Sequence, residues 1–410
     1  MRGVLKLFFS LIAFACFISC GSCGGEMPPP VPEFPVAKKG DTVSRTLIVY
    51  AMAENSLSNY VSLDLAEIFE ASTDIPDDCR LFAFVDESNA GYPPYICQFY
   101  NKGGVPGMDT VYVYDYDFCS SDPHSLASSL DLIFSDYPTE ALDIVMWSHG
   151  DGWLRHNSKS APDRSIGIDN GKNSYSNTST DVIEMEELAE VLENLPVKVD
   201  KLMFDACFMQ TVEGAYALRD AAEWIIASPA EIPGDGAPYD KLVPLFFSPT
   251  ATVGDIINEY KVAYDGSNTG VVLSAVKAGN MQLLADATYR HVKSCFDRDS
   301  LLSVDNLFSY LRNGNSSYPG FYDINAVMAR FLDEADYVVW KRALDAAIPY
   351  LNFSPRWYTA VLYGYINVDY ATCSGMSMYL PMDKSSKARF NADFATTEWY
   401  SAAGWNETGW

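Results

Sequence analysis

The chain has 410 residues, of which 48% are hydrophobic and 14% aromatic, and its net charge is −26. So large an apolar share excludes disorder for most of the length, and the length predicts two folded units. The acidic balance excludes nucleic-acid binding, because neutralising phosphates needs clusters of Lys and Arg that this sequence lacks.

The first residues have the pattern of an export signal. Residues 1–19 begin with basic residues, and Leu7–Ile18 form an apolar run that is too short for a good membrane span. We therefore expect residues 1–19 to be a lipoprotein signal peptide and the protein to be exported.

Cys20 stands where a lipid anchor would be attached. The segment that ends in Cys20-Gly resembles a bacterial lipobox, although Phe17 occupies a position where Leu is usual. Cys16 and Cys23 are competing attachment sites. Residues 20–45 carry Gly, Pro and few apolar groups, which predicts a tether. We expect the protein to be anchored by lipid to a bacterial cell envelope, at the outer membrane or cell surface, or to be secreted.

From residue 46 onward, strand and helix patterns alternate, which predicts an α/β fold with a mostly parallel sheet and helices on both faces. Residues 46–240 are predicted to form the main domain, and 241–410 a C-terminal extension of mixed helices and strands (α+β). The predicted strands are 46–52, 80–86, 96–100, 110–114, two runs that start at 142 and 201, 224–229, 270–276, 360–368 and 375–381. The predicted helices are 59–71, 125–134, 180–195, 210–222, 253–264, 278–295, 323–334 and 337–350.

Two of these strands end in side chains that can do chemistry. The apolar run from Leu142 ends at His149-Gly150, and the run from Lys201 ends at Asp205-Ala-Cys207. Open parallel sheets place their active sites at the carboxyl ends of strands. A thiol and an imidazole brought together there would be a nucleophile and its base, and the amides of Gly150 and Cys207 could form an oxyanion site. The alternative reading is an inert buried thiol and an ordinary turn histidine.

The order of the motifs resembles the clostripain family of cysteine peptidases, in the clan that also holds caspases, legumain and gingipains. The likeness covers most of the mature chain. It implies a caspase-like sheet, His149 as general base or acid, Cys207 as nucleophile, and no third catalytic residue. The motifs that carry the resemblance are Thr46–Asn55, Trp147–Gly150, Phe204–Met209, Pro233–Gly236 and Ser374–Pro381.

By the same resemblance, Asp205 and Asp235 line a pocket that accepts Arg or Lys. A partly buried pair of carboxylates would hold a guanidinium through charge-assisted hydrogen bonds. The alternatives are a helix cap for Asp205 and a turn residue for Asp235. We expect Asp205→Ala to harm cleavage after Arg more than it harms folding. A carboxylate beside Cys207 would raise the thiol pKa, so we expect activation by His149 and the following helix.

Many family members are cut between the histidine and cysteine strands. Here Arg164-Ser165 matches best, and an uncut loop could cover the pocket. No cofactor is required by these motifs. Calcium remains a candidate, since Asp151, Asp163 and Asp169 could bind it, although their spacing matches no EF-hand loop.

The sequence thus predicts a monomeric cysteine endopeptidase that cleaves peptides and proteins after Arg or Lys. A lipid-anchored binding or adhesion protein on an inactive peptidase fold is the rival hypothesis. A caspase-like enzyme that selects Asp is a third, but it would need a basic pocket, and the loops near Cys207 are acidic.

Overall fold

A computed structural model of the chain describes residues 38–89, 92–155, 165–171, 182–298, 304, 306–311 and 320–410. The strands are β1 (Arg45–Ala53), β2 (Cys79–Glu87), β3 (Tyr95–Asn101), β4 (Pro106–Val113), β5 (Leu142–Trp147), β6 (Val199–Asp205), β7 (Ala222–Ala227), β8 (Val272–Lys277), β9 (Ser309–Leu311), β10 (Phe321–Asp323), β11 (Tyr350–Phe353), β12 (Arg356–Thr359), β13 (Gly364–Asn367) and β14 (Ser377–Met378). The α-helices are α1 (Ser58–Ala71), α2 (Pro123–Asp136), α3 (Met185–Glu193), α4 (Val212–Ala217), α5 (Tyr239–Phe247), α6 (Val253–Ala263), α7 (Met281–Cys295), α8 (Ile324–Phe331), α9 (Glu334–Ala347), α10 (Ala388–Phe394) and α11 (Glu398–Ala402).

The central sheet has nine strands in the order β11-β8-β7-β6-β5-β1-β2-β3-β4. The five strands from β7 to β2 run parallel, and antiparallel strands extend the sheet at both ends. Strands β14, β10 and β9 form a second small sheet, and β12 pairs with β13. The predicted mostly parallel sheet flanked by helices is therefore confirmed.

The sheet is buried on both faces, which explains why its strands are apolar runs without alternation. In β1, Ile48 and Tyr50 face one core while Leu47 and Val49 face the other. Helices α1, α5 and α6 cover the second core, and the remaining long helices cover the first. Because successive side chains of a strand point to opposite faces, each strand contributes to both cores.

Several predicted boundaries were wrong. The predicted helix 180–195 begins only at Met185, where Glu184 and Glu187 form the capping box instead of the pair expected three residues earlier. The predicted helix 210–222 shortens to α4. Residues 360–368 were predicted as one strand, but they hold the turn of the β12–β13 hairpin and its second strand.

Residues 38–44 are bonded to the body of the protein rather than extending freely. The Arg80 guanidinium donates to the carbonyls of Lys38 (2.6 Å) and Asp41 (2.8 Å), and Val43 N–H donates to Pro138 O at 3.2 Å. Residues 38–44, which belong to the predicted tether 20–45, are therefore held against the rest of the protein. The signal peptide, Cys20 and most of the predicted tether lie outside the described residues.

The predicted boundary between residues 240 and 241 falls inside α5. Strands β8 and β11, from beyond that boundary, belong to the same sheet as β1. The described residues from 38 onward lie in one compact unit, and the division of the chain at residue 240 stays a prediction. Within the described ranges, no helix is both long enough and apolar enough to span a bilayer.

Candidate active site

The predicted base and nucleophile follow two neighbouring parallel strands. Trp147 at the end of β5 is in register with Asp205 at the end of β6. Gly150 then lies against the cysteine loop: a β-carbon added there would be 2.9 Å from the Cys207 carbonyl oxygen and 2.5 Å from Met209 Sδ. Only a glycine allows the histidine loop to come this close to the backbone of Cys207.

The Cys207 thiol is half-buried, and the Ile232 N–H donates to Sγ at 3.4 Å. Burial raises the pKa of Cys207 to about 12, and the carboxylates of Glu231, Asp151 and Asp205 add to the rise in that order. The expectation that a nearby acid opposes ionisation is therefore right in direction, although burial is the larger cause. In this arrangement the thiol is protonated at neutral pH.

The helix after Cys207, which was predicted to assist the thiol, begins only at Val212. The residue that follows, Phe208, has a φ of 60°, and the chain turns away before α4 begins at Val212. Thr211 caps that helix by accepting from the Gly214 N–H at 3.1 Å. Four residues therefore separate Cys207 from the first residue of α4, and assistance from this helix stays a prediction.

The imidazole of His149 is half-buried, and its Nε2 lies 2.9 Å from the Ser56 hydroxyl oxygen. Its carbonyl oxygen accepts from the Gly167 N–H at 3.0 Å. The position of His149 therefore depends on the loop after β1 and on the segment 165–171. Ser56 was not singled out from the sequence, because a serine in an exposed loop carries no distinguishing pattern.

The amides of Gly150 and Cys207, predicted to form the oxyanion site, donate to no other residue in the described part of the chain. The neighbouring amides are occupied, since Asp151 N–H donates to Ser165 O at 3.1 Å and Phe208 N–H to Ala230 O at 2.9 Å. The backbone N–H groups of Gly150 and Cys207 are thus available to bind an oxyanion where the histidine and cysteine loops meet.

Asp205 lies in the core and is only 3% exposed. Its Oδ2 accepts from the Ala237 N–H and the Tyr239 hydroxyl, both at 3.0 Å, and the Tyr260 hydroxyl lies 3.5 Å from Oδ1. Burial raises the pKa of Asp205 to about 6. The alternative role as a helix cap is wrong, because Thr211 caps α4.

A second acid, Asp64 of α1, faces Asp205 and was missed from the sequence. Its Oδ2 accepts from Trp147 Nε1–H at 2.8 Å. Burial and then the charge of Asp205 raise the pKa of Asp64 to about 9. The helical periodicity gave no hint of this contact, since Asp64 sits beside the apolar stripe of an amphipathic helix.

Asp235 is exposed in a turn closed by a bond from the Gly236 N–H to Pro233 O at 3.0 Å. Its charge acts on Asp64, and the same loop bonds to Asp205 through Ala237. The two predicted pocket acids therefore border one region, with Asp205 buried and Asp235 at the surface.

The predicted cleavage segment is described only in part. Arg164 and Asp163 lie outside the described residues. Ser165 is 1% exposed, and its hydroxyl donates to Leu154 O at 3.0 Å. Ile166 pairs with both Gly150 and Ile183, so this short segment runs between the histidine loop and the approach to α3.

Within the described ranges, one group of acids is close enough to share a metal ion: Glu54, Asp86 and Asp117. The acids proposed from the sequence do not belong to this group, although Asp169 interacts with Asp86. The calcium prediction itself remains open.

Comparison with known proteins places this chain in a family. The model of the clostripain family matches residues 49–410. Clostripain of Hathewaya histolytica is 28% identical over 225 residues, which is 48% of this chain and 41% of the clostripain chain. The chain thus aligns with less than half the length of this curated relative.

Two solved structures are similar over nearly their whole length. A secreted C11 cysteine protease from Bacteroides thetaiotaomicron, in complex with an irreversible peptide inhibitor, is 29% identical with a TM-score of 0.74. An inactive zymogen C11 protease from Parabacteroides distasonis is 26% identical, also with a TM-score of 0.74. Each comparison covers 88% of this chain and 99% of the other.

The fold is that of a cysteine endopeptidase of caspase-like architecture. The chain belongs to the clostripain family. The resemblance stated from the sequence motifs is thereby confirmed.

Proposed function

We propose that the protein hydrolyses peptide bonds with Cys207 as nucleophile and His149 as base. The observation that carries this proposal is the close approach of Gly150 to the Cys207 carbonyl at the ends of two parallel strands. Cys207 Sγ attacks the scissile carbonyl carbon and passes its proton to His149. The amides of Gly150 and Cys207 hold the oxyanion, since donors fixed there stabilise the developing charge. His149 then protonates the leaving amine, and water hydrolyses the thioester.

In the structure described here, the thiol and the imidazole are not yet arranged for proton transfer. The raised pKa of Cys207 keeps the proton on sulfur, and His149 Nε2 is engaged by Ser56. Substrate binding has to bring the thiol and the imidazole into a proton-transfer contact. Catalytic hydrogen bonds in unliganded enzymes commonly tighten only when the substrate is bound.

We also propose that the residue before the cleaved bond is Arg or Lys. Asp205 and Asp235 give one region negative potential, Asp64 lies beside them with its proton retained at neutral pH, and Asp205 Oδ1 has lone pairs left for a guanidinium. Gly236 supports a pocket at Asp205, because any side chain at position 236 would crowd the carboxylate: a β-carbon there would lie 2.9 Å from Asp205 Oδ2. The third hypothesis, selection of Asp, is disfavoured since a substrate carboxylate would be repelled here.

Self-processing between Arg164 and Ser165 is part of the same proposal. Ser165 is buried and held by Leu154, so the bond reaches Cys207 only after residues 165–166 leave Gly150. Cleavage of the bond would then be slower than cleavage of a free peptide. The inactive zymogen from Parabacteroides distasonis shows that a precursor state exists in a relative. Intact-mass analysis of wild type beside Cys207→Ala tests this: equal cleavage of both chains, or none of either, contradicts it.

Export, lipid attachment at Cys20 and a monomeric state complete the proposed description. The similar protease from Bacteroides thetaiotaomicron is a secreted protein, which supports export. Mass spectrometry of the membrane fraction tests the lipid anchor, since a Cys20→Ala chain should lose the acyl mass and leave that fraction.

The experiment that tests the enzymatic proposal is hydrolysis of matched reporter peptides with Arg, Lys, Asp or Leu before the cleaved bond. We expect wild type to cleave the Arg and Lys peptides and Cys207→Ala to cleave none. If no peptide shows turnover that depends on Cys207, with or without calcium, the binding or adhesion role replaces the peptidase role.

A further inference from the structure

Strands β12 and β13 form a hairpin with one face in the core and the other in solvent. Trp357 and Ile366 pair on the inner face and are buried, and the Trp357 ring lies 5.9 Å from the Tyr310 ring, centroid to centroid. On the outer face, Tyr358 and Tyr365 pair and are exposed, with their ring centroids 5.5 Å apart in an edge-to-face arrangement. Because the inner face is well packed, the exposed rings are not the result of a loosely seated hairpin.

The exposed aromatic side chains continue from the outer face to the tip of the turn. The guanidinium carbon of Arg356 lies 4.3 Å from the centroid of the Tyr365 ring. Leu362 and Tyr363 are exposed in the turn, Tyr363 by 88%. Several large apolar side chains exposed on one short hairpin indicate a surface that binds a partner, and Tyr and Arg are enriched at such surfaces. We call Arg356, Tyr358, Leu362, Tyr363 and Tyr365 the hairpin surface.

Tyr363 has a backbone conformation that a tyrosine rarely adopts. Its φ is 49°, in the left-handed region that glycine occupies without strain. Its N–H donates to the Ala360 carbonyl oxygen at 3.3 Å and closes the turn. A glycine would make the same turn without strain, so the fold does not require a tyrosine here. Residues held in such conformations cluster at sites that bind ligands.

The turn of this hairpin is joined to the loop that contacts the proposed nucleophile. The Ala360 N–H donates to Oε1 of the half-buried Glu231 at 3.2 Å. The next residue, Ile232, donates its N–H to Cys207 Sγ at 3.4 Å. An extended peptide advances about 3.3–3.6 Å per residue. Residues only a few positions from a bond held at Cys207 therefore reach the hairpin surface.

We propose that the hairpin surface binds substrate side chains that flank the cleaved bond and selects aromatic ones. Tyrosine rings attract another aromatic ring by more than the buried area alone provides. Arg356, Tyr365 and Tyr358 already contact one another in sequence, so little side-chain freedom is lost when a substrate binds. The partner is a peptide because the surface is continuous with the cysteine loop. This inference rests on the proposed peptidase function and adds a second specificity to the preference for Arg or Lys.

The kinetic test uses two internally quenched peptides of equal length, each with Arg before the cleaved bond. One peptide carries Phe at the second and third positions on either side of that bond, and the other carries Ser there. Wild type should show kcat/KM about tenfold higher for the Phe peptide, mainly through KM. Combined Tyr358→Ser, Tyr363→Ser and Tyr365→Ser should bring this ratio to about one. Damage to Cys207 would lower both peptides alike, so an unchanged ratio in the triple variant, or no preference in wild type, overturns the proposal.

Tyr112→Ser is the matched control. Tyr112 and Tyr365 are 41% and 44% exposed, but Tyr112 belongs to β4, at the far edge of the sheet. Five steps between neighbouring strands place β4 roughly 24 Å from β6. Tyr112→Ser should keep the wild-type ratio, and a loss equal to that of the triple variant would refute the assignment.

Tyr363→Gly tests the strained residue by itself. Glycine relieves the strain, so Tm should not fall, while the ratio of the Phe over the Ser peptide should drop about threefold. This variant folds where the triple variant might be questioned. If Tyr363→Gly keeps the whole ratio, Tyr363 does not contact the substrate and the proposal fails.

Binding to the Cys207→Ala chain separates this proposal from the proposed catalysis. In fluorescence anisotropy, the labelled Phe peptide should bind with a Kd about tenfold lower than the Ser peptide, and the three Ser substitutions in this background should remove the difference. Phe-dependent binding without any turnover by wild type would refute the peptidase role alone. Equal binding of both peptides, or displacement of the Phe peptide by maltohexaose at the same concentration, would refute the peptide-binding role of the hairpin surface.

Discussion

The substitution Asp205→Asn separates the charge of the proposed specificity pocket from its structure. Asp205 Oδ2 accepts from Ala237 N–H and from the Tyr239 hydroxyl. An asparagine whose amide oxygen takes the place of Oδ2 keeps both hydrogen bonds. Its NH₂ then faces the Tyr260 hydroxyl, which can rotate to accept. The variant therefore loses one negative charge and retains its neighbours.

Asp205→Ala, the substitution that the sequence suggests first, is less informative. It would leave the donors of Ala237, Tyr239 and Tyr260 without an acceptor in a buried place. Each orphaned donor costs about 1–3 kcal/mol. The alanine variant is therefore expected to lose stability as well as specificity, contrary to the expectation from sequence.

In Asp205→Asn, the transition state for an arginine peptide should lose the stabilisation of one hydrogen bond to a charged group, about 1.5–3 kcal/mol. This corresponds to a fall of about 10- to 150-fold in kcat/KM for a peptide with Arg before the cleaved bond. The matched substrate carries citrulline, which has the shape of arginine without its charge. The ratio of kcat/KM for arginine over citrulline should fall by the same factor.

Two controls sharpen this measurement. Asp235→Asn removes an exposed charge, which water screens, and should lower the ratio several-fold less than Asp205→Asn. In wild type, the ratio of kcat/KM for arginine over citrulline should drop as pH falls through about 6, where Asp205 gains its proton, because protonation of the base lowers both peptides alike. Asp205→Asn should lack that inflection. If the variant keeps the wild-type ratio and inflection, Asp205 does not contact the arginine.

Three further outcomes follow from the structure. Gly150→Ala should lower kcat/KM about 100-fold, because its β-carbon would press on the Cys207 carbonyl and displace the histidine loop, whereas Gly279→Ala, with nothing within 4 Å, should behave as wild type. Asp64→Asn should raise Tm more at pH 8 than at pH 5, measured in the Cys207→Ala background. Because the pKa of Asp64 is raised to about 9 in the folded protein, wild type loses stability as pH rises from the pKa of Asp64 in the unfolded chain towards 9, by at most about 1.4 kcal/mol per pH unit. Equal gains in Tm at both pH values would contradict this. In uncut protein, alkylation of Cys207 by iodoacetamide, followed by peptide mass spectrometry, should accelerate about tenfold per pH unit from pH 6 to 9, and a plateau near neutral pH would show a thiolate already formed by His149.

The sheet could be predicted from the sequence because its signal is local and strong. Strands buried on both faces must be continuous apolar runs, and β1, β2, β5 and β6 were found within one or two residues of their ends for that reason. The residues at the ends of β5 and β6 followed directly, since parallel neighbours bring their carboxyl ends together.

The errors lie where tertiary contacts override local preference. Residues 210–222 have the composition of a long helix, but the chain bends at Phe208 and the helix is limited to α4. Helix α5 was missed because it contains Pro244 and follows a loop rich in turn formers. Pro244 is the sixth of nine residues in this helix, where a proline removes a backbone donor, so in sequence it indicates a break.

The acidic residues show the same difference between what the sequence could and could not predict. Asp205 and Asp235 could be selected because they flank recognisable motifs, whereas Asp64, Asp86 and Glu54 could not. Their significance depends on which distant residue each one faces, such as Trp147 for Asp64. Aspartates and glutamates are frequent in this chain, so nothing in their residue type distinguishes a buried acid from a surface one.

Asn55 connects these regions and explains why the site behaves as one unit. Its Nδ2–H₂ donates to the carbonyls of Met52 at 2.8 Å and Ile168 at 2.9 Å, and its Oδ1 accepts from the Leu57 N–H at 2.8 Å. One buried amide thus joins the end of β1 to the loop that carries Ser56 and to the segment 165–171. Displacement of that segment by cleavage therefore acts on the loop that carries Ser56, the partner of His149, and this residue is one of the links, because interfaces this closely packed do not deform independently.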